Sequence, residues 1–198
     1  MKIYDISQEV FSSQVFPGDP APKKETICLI ENGDVCNLTS FSMCAHNGTH
    51  IDAPYHFIND GKAVDKLELT SLVGMAYVAE HRGVVTYDDA IRIIEKARAH
   101  SDEVAKRILI KGDIEVSLEA SKAFVDAGVL LLGNEPQTVG QKNAPMAVHL
   151  ALLGAGVILL EGINLEKVAQ GVYFLNAAPL NLSGADGAPC RAILIDIK

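Results

Sequence analysis

Val129–Glu161 reads VLLLGNEPQTVGQKNAPMAVHLALLGAGVILLE: two short apolar runs separated by a loop and an apolar helix. Val129–Leu132 and Val157–Leu160 are each four apolar residues long, too short for a helix, and read as buried strands. Between them Asn134–Gly140 is a loop, and Ala144–Leu153 is a helix with Pro145 at its start, where a missing N–H leaves no bond unmade. Strand, helix and strand in that order imply parallel pairing in an α/β layer. Two residues do not suit so apolar a setting. His149 lies within the helix, and Glu161 follows the second strand at its C-terminal end, where open α/β layers place functional groups. Each is costly to bury unless paired or bound to a cation.

Outward from this unit, Val172–Ala177 and Ala192–Ile197 read as further strands. On the N-terminal side, Ser117–Ala127 is a helix stopped by Gly128, and Arg107–Lys111 a short strand. Thr86 and Asp89 form a capping box, followed by Ala90, Ile91, Ile94 and Ala97 on one helical face. Arg92, Glu95, Lys96 and Arg98 make the solvated face, and neither His81 nor His100 is given a metal role. Met75–Glu80 is a strand, Ala63–Leu67 a short helical stretch, and Lys2–Ser7 a strand with Ile3 and Ile6 on different faces. Glu25–Ile30 and Asn37–Met43 form a hairpin across the turn signal Glu31–Asp34. Phe16–Pro22 is a rigid loop with three prolines, and Phe16 reads equally as a wall for a planar substrate or as a core anchor. With no repeat or linker, residues 1–198 are expected to form one α/β domain with a mixed sheet.

The 198 residues are 48% hydrophobic, enough for a core without disulfides. Seventeen basic against 25 acidic residues give a net charge of -8, which offers no footprint for nucleic acid or an anionic membrane. The most apolar run, Val148–Leu160, is broken by Gly154 and Gly156 and falls short of a membrane span. The opening MKIYDISQEV lacks a signal-peptide pattern, and Cys28, Cys36, Cys44 and Cys190 show no C-x-x-C spacing. Reduced, half-buried thiols and a cytoplasmic location are therefore expected. A mean hydropathy of +0.19 and a loop-lined site point to a homodimer or homotetramer.

Ala45–Gly61 (AHNGTHIDAPYHFINDG) carries His46, His50, Asp52 and His56, with Gly48 and Pro54 implying a bent loop. Imidazoles and carboxylates are the ligands of divalent metals such as zinc or manganese. A lone histidine is more often a core or capping residue. Four such groups within eleven positions point instead to a metal site.

The run H-x-G-T-H-x-D-x-P-x-H-F, His46–Phe57, resembles the signature of the metal-dependent cyclase-like amidohydrolases, among them bacterial kynurenine formamidases and isatin hydrolase. The loop Phe16–Asp19, the segment Glu135–Gln137, His149 with Glu161, and Gly184–Pro189 (GADGAP) extend the resemblance over nearly the whole chain. Formamidases usually carry Trp in the N-terminal aromatic loop, where this chain has Phe16 and no Trp at all. The resemblance implies a swivelling β/β/α fold and one or two divalent ions. It implies that His46, His50 and Asp52 bind one ion, that Asp52 and Glu161 bridge to a second completed by His149, and that His56 transfers protons. The implied reaction is hydrolysis of the amide C–N bond of a small aryl formamide or cyclic amide. The alternatives are a cyclase, dehydratase or lactonase with the same site, or a metal-dependent small-molecule binder without turnover.

Overall fold

The computed structural model describes residues 1–141 and 145–197. In chain order its elements are β1 (Lys2–Asp5), β2 (Lys23–Cys28), β3 (Leu38–Ser42), β4 (His50–Asp52), α1 (Leu69–Leu72), β5 (Val73–Glu80), β6 (Gly83–Val85) and α2 (Tyr87–Arg98). There follow β7 (Arg107–Lys111), β8 (Ile114–Val116), α3 (Leu118–Asp126), β9 (Leu131–Asn134), α4 (Pro145–Gly154), β10 (Ile158–Glu161), β11 (Gly171–Asn176), β12 (Gly187–Pro189) and β13 (Ile193–Asp196).

Nine strands form one mixed sheet in the order β1-β13-β11-β5-β7-β9-β10-β4-β12. Its centre, β5-β7-β9-β10, is parallel, as the strand–helix–strand reading requires. Both flanks are antiparallel. The central strands are buried on both faces, which explains their continuous apolar runs. Along β7, Ile108 and Ile110 pack into the core under α2, α3 and α4, while Leu109 between them faces the second core with Ile51, Leu131, Leu160 and Leu194. The β2–β3 hairpin stands apart as its own two-stranded sheet, and β6 and β8 form a small parallel pair.

The helices follow the sequence signals closely. Thr86 and Asp89 make the capping box, and Ser117 caps α3 through the Ala120 N–H. In α2 the buried face is Ala90, Ile93, Ile94 and Ala97, so Ile93 takes the place expected of Ile91, which packs at the edge of the core. Strands β9 and β10 begin later than their apolar runs. Val129 and Val157 close the preceding helices, their N–H groups donating to Phe124 O and Leu152 O after the left-handed residues Gly128 and Gly156. Glu161 is consequently the last residue of β10 rather than the one after it. The expected start of α4 at Ala144 lies outside the described residues.

Ala63–Leu67 contains a single 3₁₀ turn, Val64–Lys66. All four cysteines are free; Cys28, Cys44 and Cys190 are half-buried, but Cys36 on the hairpin connection is exposed. Among the described residues no helix is long and apolar enough to cross a membrane.

Phe124 is fully buried where α3 meets the sheet. Phe124→Ala is expected to destabilise the protein by about 3–5 kcal/mol. Urea unfolding should show this as a lower midpoint with an unchanged slope.

Candidate metal centre

The histidine run departs from the bent loop expected of it in one respect: its middle is a strand. β4 runs antiparallel between β10 and β12, with His50 opposite Glu161 and Asp52 opposite Leu159. Strand alternation sends Ile51 into the core and leaves His50 and Asp52 on the other face, beside Glu161. Helix α4 brings His149 against Asp52 and Glu161. All four are nearly inaccessible to solvent.

The tautomers follow from elementary chemistry. His50 Nδ1 lies 3.0 Å from Gly48 O, and His149 Nδ1 lies 2.8 Å from Pro145 O. A carbonyl only accepts, so both Nδ1 atoms donate, and each Nε2 is left to face the carboxylates. His50 Nε2 is 3.3 Å from Asp52 Oδ1 and 3.7 Å from Glu161 Oε2. His149 Nε2 is 3.5 Å from Glu161 Oε1 and 3.8 Å from Asp52 Oδ2. Asp52 thus turns one oxygen to His46 and His50 and the other to His149, while Glu161 Oε1 also accepts the Val139 N–H. Backbone carbonyls that fix the far nitrogen of an imidazole are the usual support of a metal-binding histidine. The donor set suits a divalent cation.

His46 and His56 lie nearer the surface. His46 Nδ1 is 2.8 Å from Asp52 Oδ1, and its Nε2 is 2.8 Å from Asp186 Oδ2. The same Asp186 oxygen is 2.9 Å from His56 Nδ1, and the two imidazole rings lie tilted 4.0 Å apart. Three groups of metal-ligand type therefore adjoin: His46 with His50 and Asp52, Asp52 with His149 and Glu161, and His46 with His56 and Asp186. All of these except Asp186 line a cavity of about 270 Å³ together with Phe16, Asp19, Phe57, Gln137 and Thr138. Phe57 stacks on His149 at 4.6 Å, and Phe16 is 39% exposed at the cavity wall, so it is not a core anchor.

Charge in this cluster is balanced by protons. Burial alone would lower the His46 imidazole, but Asp52 and then Asp186 outweigh it and raise it to about 9. His50 and His149 are raised against the same penalty, the first mainly by Asp52 and the second by Glu161. Burial pushes Asp52 up, yet hydrogen bonds from His46 and His50 hold it well below the usual carboxylate range. Asp186 is depressed likewise, burial being outweighed by His46 and His56. A field that draws protons onto three imidazoles is one that also attracts a metal cation, for which those protons must leave.

All five expected ligands come together, with His56 and Phe16 on the same cavity. Sequence reading assigned no role to Asp186, Asp19 or Gln137. Asp186 stands in the quoted GADGAP loop, a lone carboxylate between glycine-rich turns. Nothing in the local sequence told that it would meet two histidines more than a hundred residues away.

The α/β layer and the clustered imidazoles and carboxylates define the class: an α/β protein with a group of metal-ligand type where β10, β4 and α4 meet. The Cyclase family model matches residues 4–139, and the chain belongs to that family. A kynurenine formamidase of Salinibacter ruber is 34% identical, the match covering 99% of this chain and 98% of the relative. One from Bacillus cytotoxicus is 33% identical over 96% and 95%. Among solved structures, a potential metal-dependent hydrolase with cyclase activity superposes with a TM-score of 0.81 at 29% identity, covering 100% of this chain and 98% of the other. An isatin hydrolase bound to thioisatinate shares the fold at a TM-score of 0.84 and 18% identity, over 100% and 93%.

The pH dependence of the metal-free protein follows from His46. Its folded value of about 9 lies above the ordinary 6.5, so its stabilisation is complete below 6.5 and is lost as pH rises through about 9. Chelator-treated protein should melt at progressively lower temperature from about pH 6.5 to about pH 9. A flat profile across that window would contradict the assignment.

Proposed function

We propose that the protein is a metal-dependent hydrolase that opens the amide C–N bond of a small aryl formamide or cyclic amide. The observation that carries this reading is the buried set of inward-facing imidazoles and carboxylates opening into an aromatic-walled cavity with His56 at its side. Formamidase relatives matching nearly end to end support the formamide as substrate class.

In this reading His46, His50 and Asp52 would hold one ion, and Asp52, Glu161 and His149 would hold a second. Zinc and manganese both suit mixed nitrogen and oxygen ligation. A bound ion supplies Lewis acidity and lowers the pKa of a water ligand to about 7. The chain's own groups do the rest. Phe16 and Phe57 offer flat apolar walls to an aryl ring. His56 Nδ1 donates to Asp186, which leaves Nε2 as the nitrogen that would accept a proton from the attacking water and return it to the leaving amine. A binder without turnover has no use for this oriented pair. A cyclase, dehydratase or lactonase would use the same groups on another carbonyl, and a screen of aryl formamides, isatins and lactones separates these readings.

We further propose that residues 1–198 act as one unit, since a single sheet takes strands from both ends of the chain, and that the protein works in the cytoplasm, where its free cysteines would stay reduced. A homodimer or homotetramer is proposed as the assembly. The exposed apolar residues Ile27, Ile30, Val35, Leu38 and Phe41 on the hairpin support it. Light scattering at micromolar concentration tests this, and a monomer would refute it.

His50→Ala should remove most bound metal, read by elemental analysis after purification. His56→Ala should keep the metal while turnover of an aryl formamide falls by about 10²–10⁴-fold, the usual worth of a positioned acid–base group. Loss of metal in that variant would make His56 a ligand; unchanged turnover would remove it from the mechanism.

A further inference from the structure

Gln137 follows β9 in the loop that crosses the histidine turn. Its Nε2 lies 2.7 Å from Gly48 O and 3.1 Å from His46 O. Two carbonyls can only accept, so the amide's orientation is fixed and both of its hydrogens are used. Gly48 O is also the acceptor of the His50 Nδ1–H at 3.0 Å. One carbonyl therefore receives the donor that sets the His50 tautomer and the donor that holds the carbonyl itself.

We infer that Gln137 is a positioning residue for the metal centre: it clamps the turn His46–Gly48 and, through the Gly48 carbonyl, keeps His50 Nε2 turned toward Asp52 and Glu161. The inference rests on the metal-centre reading above. The surroundings are built for the clamp. Gly48 adopts a left-handed φ of 67°, the conformation that glycine takes without strain. Gly162, directly after Glu161, has φ 67°, and a Cβ there would come within 2.5 Å of Gly48 O and 2.8 Å of Gln137 Oε1. Gly162 O in turn accepts from Gln8 Nε2 at 2.8 Å and Thr49 Oγ at 2.6 Å. The Gln8 backbone N–H donates to the same Thr49 hydroxyl at 2.9 Å. The turn that carries His46 and His50 is thus tied to β10, to the segment after β1 and to the segment after β9. Besides His50 itself, Gln137 is the one side chain among the described residues that donates to the Gly48 carbonyl.

The test is a titration of metal-free protein with cobalt(II) in competition with a chromogenic chelator, following the cobalt absorption bands as well. Three variants are compared with the parent: Gln137→Glu, Gln137→Met and His50→Ala. Glutamate keeps the shape but sets an oxygen against two carbonyls, whereas methionine keeps the volume and removes both bonds. Together they cover the case in which one of them does not fold, checked by circular dichroism. Both should weaken cobalt binding by about 10–100-fold, the usual cost of losing a group that orients a ligand. Their absorption bands should shift, because His50 is no longer held. If a folded Gln137 variant binds cobalt like the parent while His50→Ala loses it, Gln137 has no positioning role and the metal centre stands. If His50→Ala also binds like the parent, the metal-centre reading fails and the inference with it.

Discussion

Asp52 and Glu161 are buried side by side at the ends of neighbouring strands, each less than 3% exposed. Two carboxylates in such a place are intolerable unless cations face them. The architecture supplies those partners from three directions: His50 from the same strand as Asp52, His46 from the turn before it, and His149 from the helix that crosses above. The parallel strands fix where Glu161 ends, and the antiparallel register of β4 fixes His50 across from it. A slip of one residue in that register would turn His50 and Asp52 into the core and Ile51 into the site.

Because the carboxylates dominate the local field, the imidazoles are basic before any metal arrives. The raised His46, His50 and His149 and the depressed Asp52 are two sides of one electrostatic balance. A metal ion would compete with protons for the same lone pairs, so its affinity for this centre would depend on pH. The carbonyls of Gly48 and Pro145 ensure that the lone pair offered is Nε2 in both deeply buried histidines. Backbone geometry, rather than further side-chain charge, sets which nitrogen points inward.

Much of this was legible in the sequence, for reasons that differ by element. The apolar runs around Leu131 and Ile158 could only be buried strands, and the helix between them forced a parallel pairing. His149 and Glu161 were conspicuous because their chemistry clashes with that apolar setting. The boundaries were less legible: Val129 and Val157 look like strand residues, but their N–H groups are consumed in closing helices. β4 escaped notice because three residues carry no visible periodicity, and its strand character comes wholly from its neighbours on either side. Asp186 and Gln137 were hidden for the same reason. Their roles are contacts across 140 and 91 positions to His46, which no local pattern encodes.

The gradient of burial across the cluster also separates its histidines in a way that matches the roles proposed for them. His50 and His149 are each 3% exposed or less. His56 is different: its side chain is 28% exposed, and the Asp186 beside it is 41% exposed. A group that takes a proton in one step and delivers it in the next must return to its starting state each cycle, so contact with water suits it. A metal ligand gains nothing from that contact and loses electrostatic strength by it. His46 stands between the two regimes, bonded on one side to buried Asp52 and on the other to Asp186. Through Asp186, His46 and His56 share one carboxylate oxygen, so a shift of the turn that moves His46 is felt at His56.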